Sequence, residues 1–309
     1  MSGAGRPTRP PPLFPTVRKL LLQLDSSPHP SVFDRIVAYD GGADEVMSYG
    51  GITDDAVRDL VHGTIFTRGP KDLRNTAIFI GGTDMAAGER LLGAVRKTFF
   101  GPMRVSVMLD SNGSNTTAVA AVAKLQQAAD KTGAGINGRR VVITAGTGPV
   151  GLRAAGLFAQ AGANVVITSR RPANAELIAS LEKRFGGSVK AVAFSDQSQA
   201  ARLLEGAELL LSAGPAGVQL IPRGSWAGRP GLLSAADLNA VPPLGIEGIE
   251  VTDDGAQRDG VVVFGALGVG NLKMKVHKAC IARLFEQNDL VLDVETIAEI
   301  ARTIAAPKT

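Results

Sequence analysis

The stretch Arg139–Ser169 constrains the fold of this 309-residue chain more than any other segment. Its run Arg140–Ala145 is apolar and β-branched without alternation, which predicts a parallel strand buried on both faces. A glycine turn follows, with the pattern G-x-G-x-x-G at Gly146–Gly151. Apolar residues at helical spacing then predict a helix that ends at Gly162, and Asn164–Thr168 predicts a second strand. The segment is therefore predicted to be one βαβ unit.

The glycine turn predicts a bound dinucleotide. In such a unit the first glycine permits the tight turn, the second lets a pyrophosphate approach the backbone, and the third lets the helix pack against the strand. The free N–H groups at the helix N-terminus favour an anion. Since a chain with 37 glycines produces this spacing by chance, the surrounding strand, helix and strand carry the argument, and a purely structural turn is the alternative. The predicted cofactor-binding residues of the turn are Gly146, Thr147, Gly148, Pro149, Val150 and Gly151.

The end of the second strand indicates which dinucleotide binds. An NAD site usually has Asp or Glu about twenty residues after the glycines, where it accepts a hydrogen bond from the ribose 2′-hydroxyl. This chain has Ser169, Arg170 and Arg171 there instead. A guanidinium suits a 2′-phosphate because it donates charge-assisted hydrogen bonds, and the serine hydroxyl can add a donor. We predict NADP as the cofactor, with NAD also possible; a solvated arginine loop is the alternative.

Composition excludes several classes of function. The length and the 45% hydrophobic content predict two domains with ample core. The chain contains a single cysteine, Cys280, and no Cys/His cluster, so we expect neither an intrachain disulfide nor a metal site. We recognise no membrane-spanning run and no signal peptide, and a cytoplasmic location is expected. The net charge of +4 is too small and too dispersed to indicate a nucleic-acid partner.

The rest of the chain alternates between predicted strands and helices, which is typical of an α/β fold. We predict an N-terminal α/β catalytic domain, a Rossmann-like doubly wound NADP domain, and C-terminal helices that return to the first domain. The predicted limits are a disordered arm at 1–16, a first domain at 17–132 plus 267–309, and the NADP domain at 133–266. Within the first domain, we predict a helix at Thr53–Val61 and a strand at His62–Phe66. In the second half, Ala235–Gly245 and Phe264–Gly270 are predicted to be loops.

Three polar segments at predicted strand ends are candidates for a substrate site, because loops there bind ligands in open α/β sheets. The first holds Asp34, in the first turn of a helix that Ser31 caps. The third is the glycine loop before Lys273, which we place in the first turn of a helix at Leu272–Phe285. The second is DSNGSNTT, for which a simple capping loop is an equal alternative. Its predicted substrate-binding residues are Asp110, Ser111, Asn112, Ser114, Asn115 and Thr116.

Several phrases, in order along nearly the whole chain, resemble bacterial NADP-dependent methylene-tetrahydromethanopterin dehydrogenase. DSNGSNTT and FGALGVGNLK are far more specific than the glycine turn. The matching phrases are SVFDRIVAYDGGAD, IFIGGTDMAAGER, FFGPMRVSVMLDSNGSNTT, AGTGPVGLRAA, NAVPPLGIEGIE and FGALGVGNLKMKVHKACIARLFE.

The resemblance implies oxidation of the methylene bridge of methylene-tetrahydromethanopterin to the methenyl cation, in one-carbon (formaldehyde) metabolism, by a cytoplasmic homo-oligomer such as a trimer. It implies Asp34 as the carboxylate of the pterin pocket and Lys273 as the lysine that orients the pterin, and we predict both as the catalytic residues. Three alternatives stay open: the corresponding tetrahydrofolate activity, a shikimate- or quinone-type NADP oxidoreductase, and an NADP-binding sensor without turnover.

Overall fold

The computed structural model describes residues 17–131, 133, 135–171 and 174–305. The predicted arm at 1–16 therefore lies outside the described residues. The described strands are β1 (Leu20–Asp25), β2 (Glu45–Tyr49), β3 (Thr76–Gly81), β4 (Ser106–Leu109), β5 (Arg140–Thr144), β6 (Asn164–Ser169), β7 (Val189–Ala193), β8 (Leu209–Ser212), β9 (Ser234–Asp237), β10 (Asp254–Arg258), β11 (Val261–Phe264) and β12 (Val291–Leu292). The described α-helices are α1 (Val32–Asp40), α2 (Val57–Ile65), α3 (Met85–Thr98), α4 (Ser114–Asp130), α5 (Pro149–Gln160), α6 (Ala175–Phe185), α7 (Ala200–Leu203), α8 (Ala266–Arg283) and α9 (Val294–Ala305).

The strands form two separate sheets, as the α/β prediction requires. The first sheet is wholly parallel, with the order β2-β1-β3-β4-β12. Since β1 feeds a helix toward β2 on one side while β3 lies on its other side, the order reverses between β1 and β3. Open parallel sheets bind ligands at this reversal, outside the carboxyl ends of the strands.

The second sheet has the order β10-β11-β9-β8-β5-β6-β7, and only β10 runs antiparallel to its neighbour. Starting from β5, the parallel strands follow the doubly wound order typical of dinucleotide-binding sheets. Val141 and Ile143 pack into the core on one face of β5 and Val142 into the core on the other, and all three are fully buried. The predicted two-faced burial of this strand is therefore confirmed.

Four long helices connect the sheets. Helix α4 packs against α5 from the second sheet and against α8 and α9 from the C-terminal segment, while α8 also contacts α1. The C-terminal segment further contributes β12, which pairs with β4. The predicted return of the C-terminal helices to the first sheet is thus observed. Within the described residues, no helix combines the length and the apolar character needed to cross a bilayer.

Several local predictions were wrong. The predicted strand His62–Phe66 falls mostly within α2, which begins at Val57 rather than at Thr53. Its buried residues Val57, Val61 and Ile65 recur every four positions, which is a helical and not a strand period. The predicted loop 235–245 contains most of β9, a strand of small residues that is buried throughout.

The predicted glycine loop Phe264–Gly270 was also wrong, because α8 begins at Ala266. A Cβ atom at Gly265 would overlap the carbonyl oxygen of Glu250, and one at Gly268 would overlap that of Asp253. These glycines therefore let the first turn of the helix lie directly on a neighbouring loop. Lys273 lies two turns inside α8 rather than in its first turn, so its predicted position is wrong as well.

Candidate active site

A cleft of about 440 Å³ opens at the carboxyl edge of the first sheet, at the reversal between β1 and β3. Its walls come from the segments that follow these two strands, the first turn of α1, the turn before α4, and α8. The lining residues are Asp25, Ser27, His29, Ser31, Phe33, Asp34, Gly82, Thr83, Asn112, Gly113 and Lys273. The two predicted catalytic residues are among them, although 239 positions separate them in sequence.

Asp34 lies in the first turn of α1, where its N–H donates to the Ser31 hydroxyl that caps the helix (3.1 Å). Burial raises the pKa of its carboxyl to about 6. The Ser31 hydroxyl and the Lys273 ammonium oppose this rise, whereas the charge of Asp25 adds to it. At neutral pH the side chain is therefore mostly a carboxylate, and it faces the cleft as a partly desolvated negative charge.

The ammonium of Lys273 enters the same cleft from α8. Its Nζ lies 4.7 Å from the ring centroid of Phe33, within the range of a cation–π contact. Its Nζ also lies so close to Gly113 that a Cβ there would be 3.0 Å away. Among the described residues it forms no ion pair, yet its charge lowers the pKa of both Asp34 and Asp110. The charge of the ammonium thus acts on both carboxyl groups without an ion pair, and its hydrogen-bond donors have no partner among the described residues.

The segment 110–117 uses most of its polar side chains inside the protein. Thr116 donates to both carboxylate oxygens of Asp110, from its N–H (3.0 Å) and from its hydroxyl (2.6 Å). The Ser111 hydroxyl donates to the carbonyl of Gly81 (2.7 Å). Ser114 and Asn115 are also fully buried. Burial raises the pKa of Asp110 to about 7, because desolvation outweighs the hydrogen bonds from Thr116 and the charge of Lys273.

These contacts correct the substrate-binding prediction for Asp110, Ser111, Ser114, Asn115 and Thr116, because none of these side chains faces the cleft. Asn112 is the exception: it is exposed and lines the cleft. Its φ of 55° and that of Gly113, 59°, make the tight turn that brings this backbone to the cleft wall. The capping alternative therefore describes most of the segment, and the substrate alternative remains for Asn112.

The glycine turn after β5 behaves differently. A Cβ at Gly146 would lie 2.6 Å from Cβ of Ile167, and one at Gly151 would lie 2.6 Å from Cα of Gly146, so both glycines are required by packing. A Cβ at Gly148 would meet nothing closer than the carbonyl oxygen of Ala145, at an ordinary 3.5 Å. No side chain caps α5, which starts at Pro149. The turn therefore leaves an open backbone and uncapped N–H groups, which fit a pyrophosphate.

Arg170 and Arg171 follow β6 and are both exposed. Neither guanidinium pairs with a carboxylate of the part of the chain that is described, so both are free to meet a phosphate. The Ser169 hydroxyl donates instead to the carbonyl of Arg171. The predicted donation from Ser169 to a 2′-phosphate is therefore corrected, because the Ser169 hydroxyl already donates its hydrogen bond within the loop that carries the two arginines.

Two aromatic side chains lie near Lys273, and sequence reasoning missed the first of them. Phe33 is 49% exposed at the cleft wall, an unusual position for a large apolar ring. His277, one turn after Lys273, is fully buried and stacks on Phe79 with ring centroids 5.5 Å apart. Burial lowers the pKa of His277 to about 3, so the imidazole is neutral. Its Nδ1 lies 3.9 Å from the Asp110 carboxyl, beyond hydrogen-bond distance.

Comparison with known proteins supports the resemblance. Residues 32–112 match the family described as "Methylene-tetrahydromethanopterin dehydrogenase, N-terminal". The chain is 50% identical over 289 residues to the bifunctional protein MdtA of Methylorubrum extorquens, an alignment that covers 93% of this chain and 99% of that protein. It is also 33% identical to the NAD(P)-dependent methylenetetrahydromethanopterin dehydrogenase of the same organism, over 93% of this chain and 99% of the relative.

Solved structures of low identity share the fold. Shikimate 5-dehydrogenase from Listeria monocytogenes, in complex with shikimate and NAD, superimposes with a TM-score of 0.54 at 14% identity, covering 92% of this chain and 96% of that one. Quinate dehydrogenase from Corynebacterium glutamicum, in complex with NAD, gives a TM-score of 0.50 at 13% identity, covering 93% and 99%. The two-sheet plan of this chain is thus the Rossmann-type fold that these structures share. By its sequence relatives, the chain belongs to the family of NAD(P)-dependent methylenetetrahydromethanopterin dehydrogenases.

Proposed function

We propose that this protein transfers a hydride from the methylene bridge of methylene-tetrahydromethanopterin to NADP, giving the methenyl product. One observation carries the proposal: a single cleft, at the ligand-binding edge of the first sheet, holds the Asp34 carboxylate and the Lys273 ammonium around an exposed aromatic ring. Membership of the family supports the substrate class. The tetrahydrofolate activity and the non-catalytic sensor are the alternatives that these relatives favour less.

On the cofactor side, the backbone of the glycine turn fits the pyrophosphate and the paired arginines suit the 2′-phosphate. When bound, the nicotinamide supplies the hydride acceptor. The proposed contacts are the open face at Gly148, the uncapped start of α5, and the free guanidinium groups of Arg170 and Arg171. Because a 2′-phosphate gives the arginines a partner that NAD lacks, the proposal favours NADP while allowing NAD.

On the substrate side, the reaction develops positive charge and needs no proton transfer in the hydride step. As the C–H bond breaks, its electron pair leaves with the hydrogen, and the bridge carbon becomes part of an amidinium cation shared by two nitrogens. The partly desolvated carboxylate of Asp34 stabilises this charge better than solvated carboxylates do. Asp34 is accordingly the proposed electrostatic catalyst.

Lys273 has a different proposed role, because a cation beside a forming cation would oppose the reaction. Its ammonium is held by Phe33 and lies next to the turn at Gly113, with its donors pointing at no carboxylate of the described chain. We therefore assign it to orienting the pterin by hydrogen bonds to ring oxygen or nitrogen atoms. Asn112, the exposed side chain of the same turn, is the proposed second polar contact.

The proposal has a wider setting, which rests on the sequence pattern and on the resemblance. We propose domain limits of 17–132 plus 267–309 for the pterin-binding domain and 133–266 for the NADP domain. We also propose a cytoplasmic homo-oligomer, such as a trimer, acting in one-carbon metabolism.

A direct assay tests the function. The purified protein is mixed with NADP, then with methylene-tetrahydromethanopterin or methylene-tetrahydrofolate, and NADPH absorbance is followed. We expect rapid reduction with the methanopterin carrier. Reduction with the folate carrier only would favour the alternative tetrahydrofolate activity. NADP binding by calorimetry without turnover on either carrier would favour the sensor and contradict the proposal.

A further inference from the structure

An arginine in the dinucleotide unit makes three side-chain hydrogen bonds, two of which reach well beyond that unit. Arg153 lies in α5, four residues after the start of the helix, and its side chain is only 7% exposed. Its Nε donates to Oδ1 of Asn115 (2.6 Å). Its two terminal nitrogens donate to Oε1 of Glu89 (2.7 Å) and to the carbonyl of Pro149 (3.0 Å). All three branches of the guanidinium are therefore engaged at once.

The three partners of Arg153 lie on different elements, one in the glycine turn, one next to the cleft wall and one on a helix of the first sheet. Pro149 is a residue of the glycine turn itself. Asn115 follows the turn at Asn112 and Gly113 that forms the cleft wall, and it is fixed in place by donating to the carbonyl of Leu109 at the end of β4 (2.6 Å). Glu89 lies on α3, which packs on the first sheet. One rigid side chain thus joins the cofactor turn to the substrate cleft.

Stability alone does not explain a charged group in this position. Desolvation lowers the pKa of Arg153, and Glu89, the first of the carboxyl groups that oppose this, has a side chain that is 45% exposed. An apolar residue of similar volume at such a site is often neutral or stabilising. What the guanidinium supplies is a planar fork with fixed donor directions. That property suits the positioning of two elements relative to each other.

We propose that Arg153 is a positioning residue that fixes the glycine turn relative to the substrate cleft, and so sets the approach of the nicotinamide to the methylene bridge. The inference rests on the proposed function and adds a residue to it. It also explains why the buried Asn115 is an amide: its oxygen accepts from Arg153 while its nitrogen donates to β4. Arg153 touches neither ligand and acts through the distance between them.

The test replaces Arg153→Lys, which keeps the positive charge and removes the fork. Because a misplacement of about 1 Å costs on the order of 10²-fold in rate, we expect kcat to fall by about that factor. The Kd for NADP should change by less than about twofold, since Arg153 does not contact the cofactor. The primary deuterium isotope effect on kcat, measured with a deuterated methylene bridge, should increase as hydride transfer becomes more fully rate-limiting.

Arg184→Lys is the matched control. Arg184 approaches the same carboxylate of Glu89 (3.5 Å), but its close partners are Asp293 and Glu295, and it reaches Asn115 only indirectly, through the Asn115 amide that donates to Asp293 (3.2 Å). We expect this variant to lower the melting temperature while kcat and the isotope effect stay at the wild-type values. If Arg153→Lys does not fold, Glu89→Gln is the second variant, because it weakens the Arg153–Glu89 contact at the more exposed partner. We then expect the same changes in kcat and in the isotope effect, but smaller ones.

A second readout needs no turnover. In wild-type protein, bound NADPH should change the Kd of the methenyl product measured by calorimetry, and Arg153→Lys should reduce this coupling. A folded Arg153→Lys protein with unchanged kcat, isotope effect and coupling would overturn the positioning role, as would an effect confined to NADP affinity. If the wild-type protein itself does not reduce NADP with the methanopterin carrier, the proposed function fails, and that result is distinct from either outcome for Arg153.

Discussion

The glycine turn after β5 and the segment 110–117 after β4 occupy equivalent places, since each follows a parallel strand and leads into a long helix. They use their residues in opposite ways. The glycine turn leaves backbone open at Gly148, whereas segment 110–117 binds itself together through Asp110, Ser111 and Thr116. The difference shows that a polar segment at a strand end does not by itself indicate ligand contact. Whether its donors already have partners decides the matter.

The sharpest test of this contrast is Gly148→Val. Since a Cβ there meets only an ordinary contact at 3.5 Å, we expect a folded protein whose side chain fills the space of the pyrophosphate. NADP affinity should fall by at least about 10²-fold, or roughly 2.7 kcal/mol. Circular dichroism checks the fold, and calorimetry checks the binding.

Gly151→Val is the comparison variant for that experiment. Its Cβ would lie 2.6 Å from Cα of Gly146, so it should lower the melting temperature severely instead of selectively removing binding. A folded Gly148→Val protein that still binds NADP would contradict the assignment of the turn.

The next largest effect is expected at the cleft. Asp34→Asn keeps the shape of the side chain but removes the charge that stabilises the forming amidinium. We expect kcat to fall by about 10²–10³-fold, as for the removal of one preorganised electrostatic group, with the Kd for NADP within about twofold. Lys273→Ala should raise the KM for the pterin as well. Steady-state kinetics on both variants, together with NADP titrations, separate the two roles; normal turnover in both would place catalysis elsewhere.

Replacing Arg170 and Arg171 together by Ala should affect one cofactor and not the other. We expect NADP binding to weaken by about 1–3 kcal/mol for each charge-assisted hydrogen bond to the 2′-phosphate that is removed, while NAD binding stays nearly unchanged. Parallel titrations with both dinucleotides measure this difference. Equal weakening of the two would mean that the arginines bind a part that the cofactors share.

Segment 110–117 should respond to pH through its buried carboxyl. Because the pKa of Asp110 is raised to about 7 in the folded protein, the folded state holds this proton at pH values where the unfolded chain has released it. Its contribution therefore lowers stability as pH rises from about 4 to about 7, by on the order of a few kcal/mol. Asp110→Asn should remove that decrease, so denaturation midpoints should shift in favour of the variant as pH rises through this range. A difference that is constant with pH would contradict the raised pKa.

Two substitutions within one turn of each other should separate the two uses of this segment. Thr116→Val removes a buried donor to Asp110 and should cost about 1–3 kcal/mol of unfolding free energy, with little change in the KM for the pterin. Asn112→Gly removes the exposed side chain at a φ of 55° that glycine adopts without strain. We expect near-normal stability and a KM raised roughly 2- to 10-fold, for the removal of one hydrogen bond. The reverse pattern, a raised KM for Thr116→Val and a loss of stability for Asn112→Gly, would contradict this account and indicate that the buried side chains contact the substrate.

Much of the fold could be predicted because buried parallel strands are continuous apolar runs, as in β5 and β8. The failures have physical causes. Strand β2, which was not predicted from the sequence, lies at the sheet edge, is short and mixed in polarity, and has only one buried residue among its five. The start of α8 was not predicted because glycine is a poor helix former. Glycines are nevertheless required at this start, because the helix lies directly against the loop at Glu250 and Asp253.

The site was less predictable than the fold. The pairing of Asp34 with Lys273 came from the family resemblance, since no spacing rule joins residues so far apart in sequence. Arg153 gave no signal, because an arginine in a helix is normally solvated and its three partners come from three separate segments. The sequence of 110–117 shows that its side chains are polar, but it does not show which of them have hydrogen-bond partners inside the protein. Asn112, held in a left-handed turn, is the exposed polar side chain of the segment that lines the cleft.

The most direct test of the account is a crystal structure of the protein with NADPH and the methenyl product. We expect the pterin to lie in the cleft against Phe33, with the Asp34 carboxylate beside the amidinium and the bridge carbon about 3–3.5 Å from the reactive nicotinamide carbon. A second cavity, of about 310 Å³, lies between α4, α5 and α9 and is lined by residues such as Leu157 and Ala298. A pterin bound there, with the Phe33 cleft empty, would contradict the central claim.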